Sequence, residues 1–184
     1  GVQTCALPIY DYADLIEKSY GGFELYQRTG TPIHPMSPLS KIFWMRHKEP
    51  KIFKQTAMFA DLKTYVLFQL YERFVIDYSL GSATGMMNLE QLDWDNKALE
   101  LLGIERNQLP QLVPTTHVLT GMKKRYATLM GIDEQTPVIV GASDGVLSNL
   151  GVNSYQKGEV AVTIGTSGAI RTVINQPKTD EKGR

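Results

Sequence analysis

The sequence predicts a mixed α/β fold, on the basis of three features of the chain. Before residue 131, apolar residues recur mainly at helical spacing. Residues 137–150 read as a short apolar strand, a turn of small residues and then a helix. Residues 159–174 contain two β-branched runs joined by a glycine-flanked turn, the pattern of a β-hairpin. Helices are therefore expected through the first two thirds, and strands mainly in the last third.

The helices of the first part have recognisable starts and ends. Helical spacing from Asp11 to Arg28, interrupted at Gly21–Gly22, predicts two short helices. Ser37 followed by Pro38 predicts a helix start, because a hydroxyl caps the first turn and proline suits the first helical position. Other boundaries follow the same rules, with starts at Pro50 and Asp61, a helix over Gly121 to Met130, and ends at Gly103 and Gly131.

The segment from Ile76 to Gly85 differs from the helices around it because it is small and polar. Its sequence, IDYSLGSATG, contains two glycines, two serines and a threonine. This composition suits either close packing around a site or a tight turn, and both interpretations remain open.

Composition excludes several classes of protein. The 184 residues are 42% hydrophobic, enough for one globular domain with a core, or one domain and the start of another. Nineteen basic residues balance nineteen acidic ones, so no net field attracts nucleic acid or an anionic membrane. No apolar run approaches the roughly 18 residues of a membrane span. The single cysteine, Cys5, excludes an internal disulfide framework and fits a reducing cytoplasm.

Both ends of the chain are expected to be cuts. The opening GVQTCALPI lacks the basic start and long apolar core of a signal peptide, and is interpreted as foreign sequence. The final KTDEKGR follows a strand-like run without a closing element.

Asp144 is the first candidate for chemistry. It follows a strand directly and lies between small residues, which would hold its carboxylate on rigid backbone with space for a ligand in front of it. The alternative is that Asp144 caps the helix that follows, and spacing alone favours this alternative.

The turn of the predicted hairpin, residues 165–168, is the second candidate. Its sequence, GTSG, offers backbone N–H groups and two hydroxyls without bulky side chains, as a phosphate requires. It is not a Walker loop, because no lysine follows and the next element is a strand. An ordinary turn would be favoured if it stood alone. Because it follows Asp144 by some twenty residues, the two could face each other across a cleft, one taking a proton and the other holding a phosphate.

A metal site is not expected within this chain. The three histidines, His34, His47 and His117, lie far apart and lack metal-ligand spacing. Surface or hydrogen-bonding roles are therefore the default for all three.

Four stretches of the chain match one known family when they are taken together. They are HPMSPLSKIFWM (34–45), DYSLGSATG (77–85), LDWDNKALELLGI (92–104), and VIVGASDG with GEVAVTIGTSG (138–168). From about Tyr12 to its end, the chain resembles the FGGY family of carbohydrate kinases, and is most similar to its bacterial members that act on gluconate.

The resemblance implies a fold of two actin-like (ribonuclease H-like) domains that close on a cleft. Residues 10–153 would form the first, substrate-binding domain without its first strands, and residues 154–184 the start of the nucleotide domain. Residues 1–9 would be foreign or unstructured. Relatives are often dimeric, so a homodimer of the full-length enzyme is a further expectation.

The resemblance also implies a reaction, the transfer of the ATP γ-phosphate, with Mg²⁺, to a terminal hydroxyl of gluconate. Asp144 matches the family's proton acceptor, and Gly145 follows it at the substrate. His34 and Met36 match a loop that touches substrate in relatives. The family's second phosphate loop falls on Gly165, Thr166 and Ser167.

Two rivals remain. One is another kinase of this family, acting on xylulose or glycerol, and the other is a non-catalytic sugar-binding or actin-like module. Because the first phosphate loop and the adenine pocket would lie outside this chain, the polypeptide alone is expected to be inactive and to expose apolar surface where strands should pair.

Overall fold

The computed structural model describes residues 2–166 and 168–183, with side chains described from Ile9 onward. Its helices are α1 (Val2–Ser19), α2 (Gly22–Thr29), α3 (Pro38–Lys48), α4 (Pro50–Gln55), α5 (Leu62–Tyr71), α6 (Tyr78–Ser82), α7 (Asn96–Leu102), α8 (Lys124–Met130) and α9 (Asp144–Gly151), with a 3-10 turn at Arg106–Gln108. Its strands are β1 (Val75–Asp77), β2 (Met87–Asn88), β3 (Asp93–Trp94), β4 (Gln111–Val113), β5 (Val118–Leu119), β6 (Val138–Ile139), β7 (Val160–Ile164) and β8 (Gly168–Thr172). The α/β class predicted from the sequence is confirmed. The expectation that strands lie mainly in the last third is wrong, because β1 to β5 all lie before residue 120 and are too short to show a clear strand pattern.

The strands associate in pairs. β1 and β4 are parallel, with Val75 opposite Gln111 and Asp77 opposite Val113. The pairs β2–β3, β5–β6 and β7–β8 are antiparallel. The longest ladder joins β7 to β8 and confirms the hairpin predicted near the end of the chain.

Local capping chemistry sets the helix boundaries, as the sequence predicts. The Ser37 side chain accepts a hydrogen bond from the Ser40 N–H at 3.4 Å, and Pro38 occupies the first turn of α3. The Asp61 carboxylate accepts one from the Thr64 N–H at 3.0 Å, which starts α5. Gly103 follows α7 with φ of 65°, a left-handed conformation that favours glycine.

The start of α8 differs from the sequence prediction. The helix begins at Lys124 rather than at Gly121. The N–H groups of Gly121 and Met122 donate instead to the Glu134 carbonyl, at 2.9 and 2.8 Å, and these contacts hold both residues outside the helix. The prediction failed because the bonding partner comes from beyond the helix.

The first helix includes residues 2–9, because α1 begins at Val2. It packs against α3, and its Ile16 side chain is fully buried. Whether residues 1–9 are foreign to the protein stays a prediction. No helix in the described part of the chain is long and apolar enough to span a membrane.

Strand β1 lies between two hydrophobic cores. Ile76 belongs to a core with Leu39, Phe43 and Leu102. Val75 belongs to a second core. Because successive side chains of a strand point to opposite faces, both faces of β1 are buried, as is usual for a parallel strand. The end of β1 is therefore held firmly, and the polar residues that follow it gain a fixed position.

Candidate active site

Asp144 is the first residue of α9 and follows the turn that leaves β6. Ser143 occupies the N-cap position, and its side chain makes no capping hydrogen bond. The Asp144 carboxylate is exposed and accepts a hydrogen bond from the adjacent Gly145 N–H at 2.7 Å. Within the described residues, no salt bridge holds this carboxylate. Ser143 rather than Asp144 therefore occupies the N-cap position, while the Asp144 carboxylate still accepts one N–H of the first turn of α9, as the capping alternative predicts in part.

The turn before Asp144 is fastened at two points. The Ser143 N–H donates to the Ser79 hydroxyl oxygen at 2.8 Å. The Lys63 ammonium donates to the Gly141 carbonyl oxygen at 3.3 Å. Gly141 has a φ of 74°, in the left-handed region of backbone conformation that favours glycine. The backbone that carries Asp144 is thus held from α5 and α6 rather than by its own helix alone.

Asp77 contacts both side chains, Lys63 and Ser79, that form these two hydrogen bonds to the turn. Its carboxylate is fully buried at the end of β1 and forms a salt bridge of 2.6 Å with Lys63. It also accepts hydrogen bonds from the Ser79 N–H at 3.0 Å, from the Leu80 N–H at 3.2 Å, and from the Ser79 hydroxyl. These contacts start α6 and orient both Lys63 and Ser79 toward the turn.

The electrostatics of Asp77 follow from this arrangement. Burial alone would raise the pKa of the Asp77 carboxyl. The hydrogen bonds from Lys63 and Ser79, the charge of Lys63 and the Leu80 N–H outweigh burial and lower that pKa below its usual value. Asp77 is therefore ionised at neutral pH and maintains its salt bridge with Lys63.

The segment of residues 77–85 also contacts the loop that precedes α3 and the first turn of α3. The Thr31 hydroxyl donates to the Ser82 carbonyl at 2.6 Å, and the Leu39 N–H donates to the Thr84 carbonyl at 3.0 Å. The segment thus contains a short helix, α6, packed between two loops. Close packing, one of the two interpretations left open by its composition, describes it better than a simple turn.

The loop before α3 carries the two predicted substrate contacts. His34 and Met36 are both exposed, Met36 by 55%. The Met36 N–H donates to His34 Nδ1 at 3.1 Å, and the Ser37 hydroxyl donates to the His34 carbonyl at 2.8 Å. Across the described ranges, no hydrogen bond or salt bridge joins His34 or Met36 to Asp144. Their role stays a prediction.

The predicted phosphate loop lies at the connection of β7 and β8. Gly165 and Thr166 are exposed there, and Ser167 lies outside the described residues. The hairpin closes with Ile164 opposite Gly168. Its backbone form agrees with the prediction, whereas phosphate binding stays a prediction.

The hairpin lies against the helix that begins at Asp144. A Cβ atom placed on Gly145 would come within 3.2 Å of Arg171 Nε on β8. A groove separates α9 from β8, and Ser143, Asn149, Tyr155 and Arg171 line part of it. The structure therefore brings Gly145 and the second strand of the hairpin together.

An apolar cavity of about 260 Å³ lies in a different part of the molecule, between α3 and β3.

Comparison with known proteins identifies the family. Residues 9–151 match the N-terminal domain of the FGGY family of carbohydrate kinases. The chain belongs to that family. The FGGY chain is 56% identical over 173 residues to the gluconokinase of Bacillus subtilis (strain 168), covering 94% of this chain and 34% of that protein. It is 29% identical over 146 residues to the xylulose kinase of the same organism, covering 79% of this chain and 29% of that protein.

Solved structures confirm the expected fold. The chain superposes on a gluconate kinase from Lactobacillus acidophilus with a TM-score of 0.92 and 36% sequence identity. A ligand-bound xylulose kinase from that organism gives the same values, and both cover 96% of this chain and 36% of theirs. The chain thus spans about a third of the length of the relatives that it matches.

Three residues of the site were missed by sequence reasoning. Lys63 lies in a predicted helix and has no predicted role, and Asp77 and Ser79 belong to the 77–85 segment, for which the sequence predicts no individual roles. A signal for Asp77 is present, because aspartate is among the residues preferred at a helix N-cap and Asp77 directly precedes α6. No comparable signal marks Lys63.

Proposed function

We propose that a protein of the relatives' length carrying this chain is an ATP-dependent gluconokinase. The observation that supports it most is the exposed carboxylate of Asp144, on a turn fastened at Gly141 and Ser143. Identities of 56% and 53% to gluconokinases, against 29% to a xylulose kinase, favour gluconate as the substrate.

In this proposal Asp144 is the general base. Phosphoryl transfer depends mainly on positioning and charge stabilisation, and a carboxylate beside the acceptor hydroxyl takes its proton as the new bond forms. Since no salt bridge occupies Asp144 in the described part, its carboxylate is available for that proton. His34, Met36 and Gly145 are proposed substrate contacts.

The proposed nucleotide contacts are Gly165, Thr166 and Ser167, since small residues at a hairpin connection let phosphate approach the backbone. Magnesium would neutralise charge on the ATP phosphates when bound. The described residues include no group of three or more His, Cys, Asp or Glu placed to hold a metal ion. A small sugar acid as the partner, a cytoplasmic location, a homodimer and the absence of nucleic-acid binding stay predictions.

A xylulose kinase is the second candidate. It is favoured by the structure named a xylulose kinase from Lactobacillus acidophilus, which matches this chain at 36% identity. A glycerol kinase from Plasmodium falciparum matches at 20% and supports the shared fold only.

The test uses a polypeptide of the relatives' full length that carries this chain, which we call the full-length kinase. Gluconate, xylulose and glycerol are compared as substrates with ATP, and gluconate is expected to give the highest kcat/KM. Asp144→Asn should lower kcat by roughly 10²- to 10⁴-fold, because it removes the base but keeps the shape of the side chain. Asp14→Asn is the matched control, because Asp14 is an exposed carboxylate on α1.

Other results would contradict parts of the proposal. A higher kcat/KM for xylulose would favour the rival kinase. Near-normal activity of Asp144→Asn would show that another group is the base. Binding of gluconate without turnover of any substrate would favour a non-catalytic module.

A further inference from the structure

Arg171 lies beside the candidate base without any assigned role. It is on β8, opposite Ala161 of β7, and its side chain is partly buried. An ideal Cβ on Gly145 would lie 3.2 Å from its Nε and 3.7 Å from its Cζ and Nη2. The guanidinium group therefore packs against the residue that follows Asp144.

The hydrogen bonds of Arg171 leave part of the guanidinium group available. A guanidinium carries five N–H donors in a planar fork. Nη1 donates to the Thr163 hydroxyl at 3.1 Å, which fixes one side of the group. In the part of the chain that the structure describes, no carboxylate forms a salt bridge with Arg171. The Nε–Nη2 edge lies on the side of Gly145.

We propose that Arg171 binds the carboxylate of the sugar acid, which makes it a determinant of specificity for acids over neutral sugars. The inference rests on the proposed gluconokinase function. The planar fork of arginine matches a carboxylate with two parallel hydrogen bonds, and a partly buried guanidinium gains more from such a partner than an exposed one. A ligand with a hydroxyl at one end and a carboxylate at the other would place the hydroxyl at Asp144 and the carboxylate at Arg171.

Gly145 contributes by having no side chain. A Cβ at 3.2 Å from Nε is closer than ordinary van der Waals contact, so a side chain at this position would require the guanidinium group to shift by a few tenths of an ångström. The absence of a side chain at Gly145 therefore helps to keep the guanidinium group in the position from which it would bind the carboxylate. Gly145→Ala should act in the same direction as loss of Arg171, with a smaller effect.

Two other roles for Arg171 are separated by the experiment. Arg171 could bind the γ-phosphate of ATP, or it could simply fasten the hairpin to α9. The full-length kinase and its Arg171→Met variant are assayed with gluconate and with glucitol, the neutral six-carbon alcohol of the same length. Arg125→Met is the matched control, because Arg125 is exposed on α8 and stacks on Tyr126. Thermal unfolding establishes that each variant is folded at the assay temperature.

Loss of a charged hydrogen-bond partner should lower kcat/KM for gluconate by roughly 10- to 100-fold, mainly through KM. The value for glucitol should change less than about threefold, because glucitol has no carboxylate. Arg171→Lys should recover part of the preference for gluconate, since it keeps the charge without the fork.

Each other outcome overturns the inference. An equal loss for both substrates would assign Arg171 to ATP. A lower unfolding temperature with an unchanged ratio of the two substrates would assign it to packing. If the unmodified kinase prefers xylulose to gluconate, the proposed function fails first, and this result is distinct from an unchanged ratio in a kinase that does use gluconate.

Discussion

Asp77 and Asp95 are buried carboxylates with the same local role in two regions of the molecule. Each lies at the end of a short strand, starts a helix and forms a salt bridge with a cation, Lys63 at 2.6 Å for Asp77 and Arg28 at 2.8 Å for Asp95. Burial alone would raise the pKa of both carboxyl groups. Hydrogen bonds from the cation and from backbone N–H groups outweigh burial and lower both pKa values.

The two regions differ in the further hydrogen bonds that the partners of each carboxylate make. The partners of Asp77 reach across the chain to Gly141 and Ser143, in the turn before Asp144. Arg28, in contrast, returns to its own helix and donates to the Glu24 carbonyl at 3.1 Å. The same buried pair thus couples the scaffold to the candidate site in one region and joins scaffold elements in the other.

Asp77→Asn should have the largest effect of the substitutions that test this comparison. Loss of the charge leaves Lys63 partly buried without its partner, which should lower the free energy of unfolding by about 3 kcal/mol. The turn before Asp144 loses its support, so kcat of the full-length kinase should fall by roughly 10- to 100-fold. Urea denaturation of the chain and steady-state kinetics measure the two effects. Unchanged kcat in a destabilised variant would show that the turn keeps its position without Asp77.

Asp95→Asn is the counterpart in the scaffold region. It should lower the free energy of unfolding by a similar or slightly smaller amount, about 2–3 kcal/mol, because Arg28 is more exposed than Lys63. The kcat for gluconate should stay within about twofold of the unmodified kinase, a change too small to indicate lost transition-state stabilisation. A fall in kcat as large as that of Asp77→Asn would remove the distinction between the two regions.

The pH dependence of stability should reveal both pairs together. A carboxyl group with a lowered pKa in the folded state binds protons less readily there than in the unfolded chain. Its contribution is therefore complete above the unfolded pKa of about 3.9 and is lost as the pH falls through the lower folded value. Urea midpoints between pH 7 and pH 2.5 should fall less steeply below pH 4 in Asp77→Asn and in Asp95→Asn. Parallel curves would indicate that neither pKa is lowered.

The same contrast separates what the sequence could predict from what it could not. Starts of α3 and α5 were predictable because Ser37 and Asp61 cap N–H groups only three residues away. The hairpin followed from two adjacent β-branched runs. Lys63 lies 14 residues from Asp77 and 78 residues from Gly141, and no local rule relates positions so far apart. Their meeting depends on how β1 packs between two cores, which only the folded chain establishes.

Ser79→Ala should have the smallest effect and gives the sharpest test. It removes one hydroxyl, which accepts from the Ser143 N–H and donates to Asp77, while Lys63 stays in place. The free energy of unfolding should fall by about 1 kcal/mol, and kcat of the full-length kinase should fall by several-fold. Ser82→Ala is the control, because the Ser82 hydroxyl donates only within the 77–85 segment, to the Ser79 carbonyl at 3.0 Å. If both variants lose stability equally and only Ser79→Ala loses activity, the contact with Ser143 matters for the position of Asp144. Equal activities would mean that Lys63 alone holds the turn.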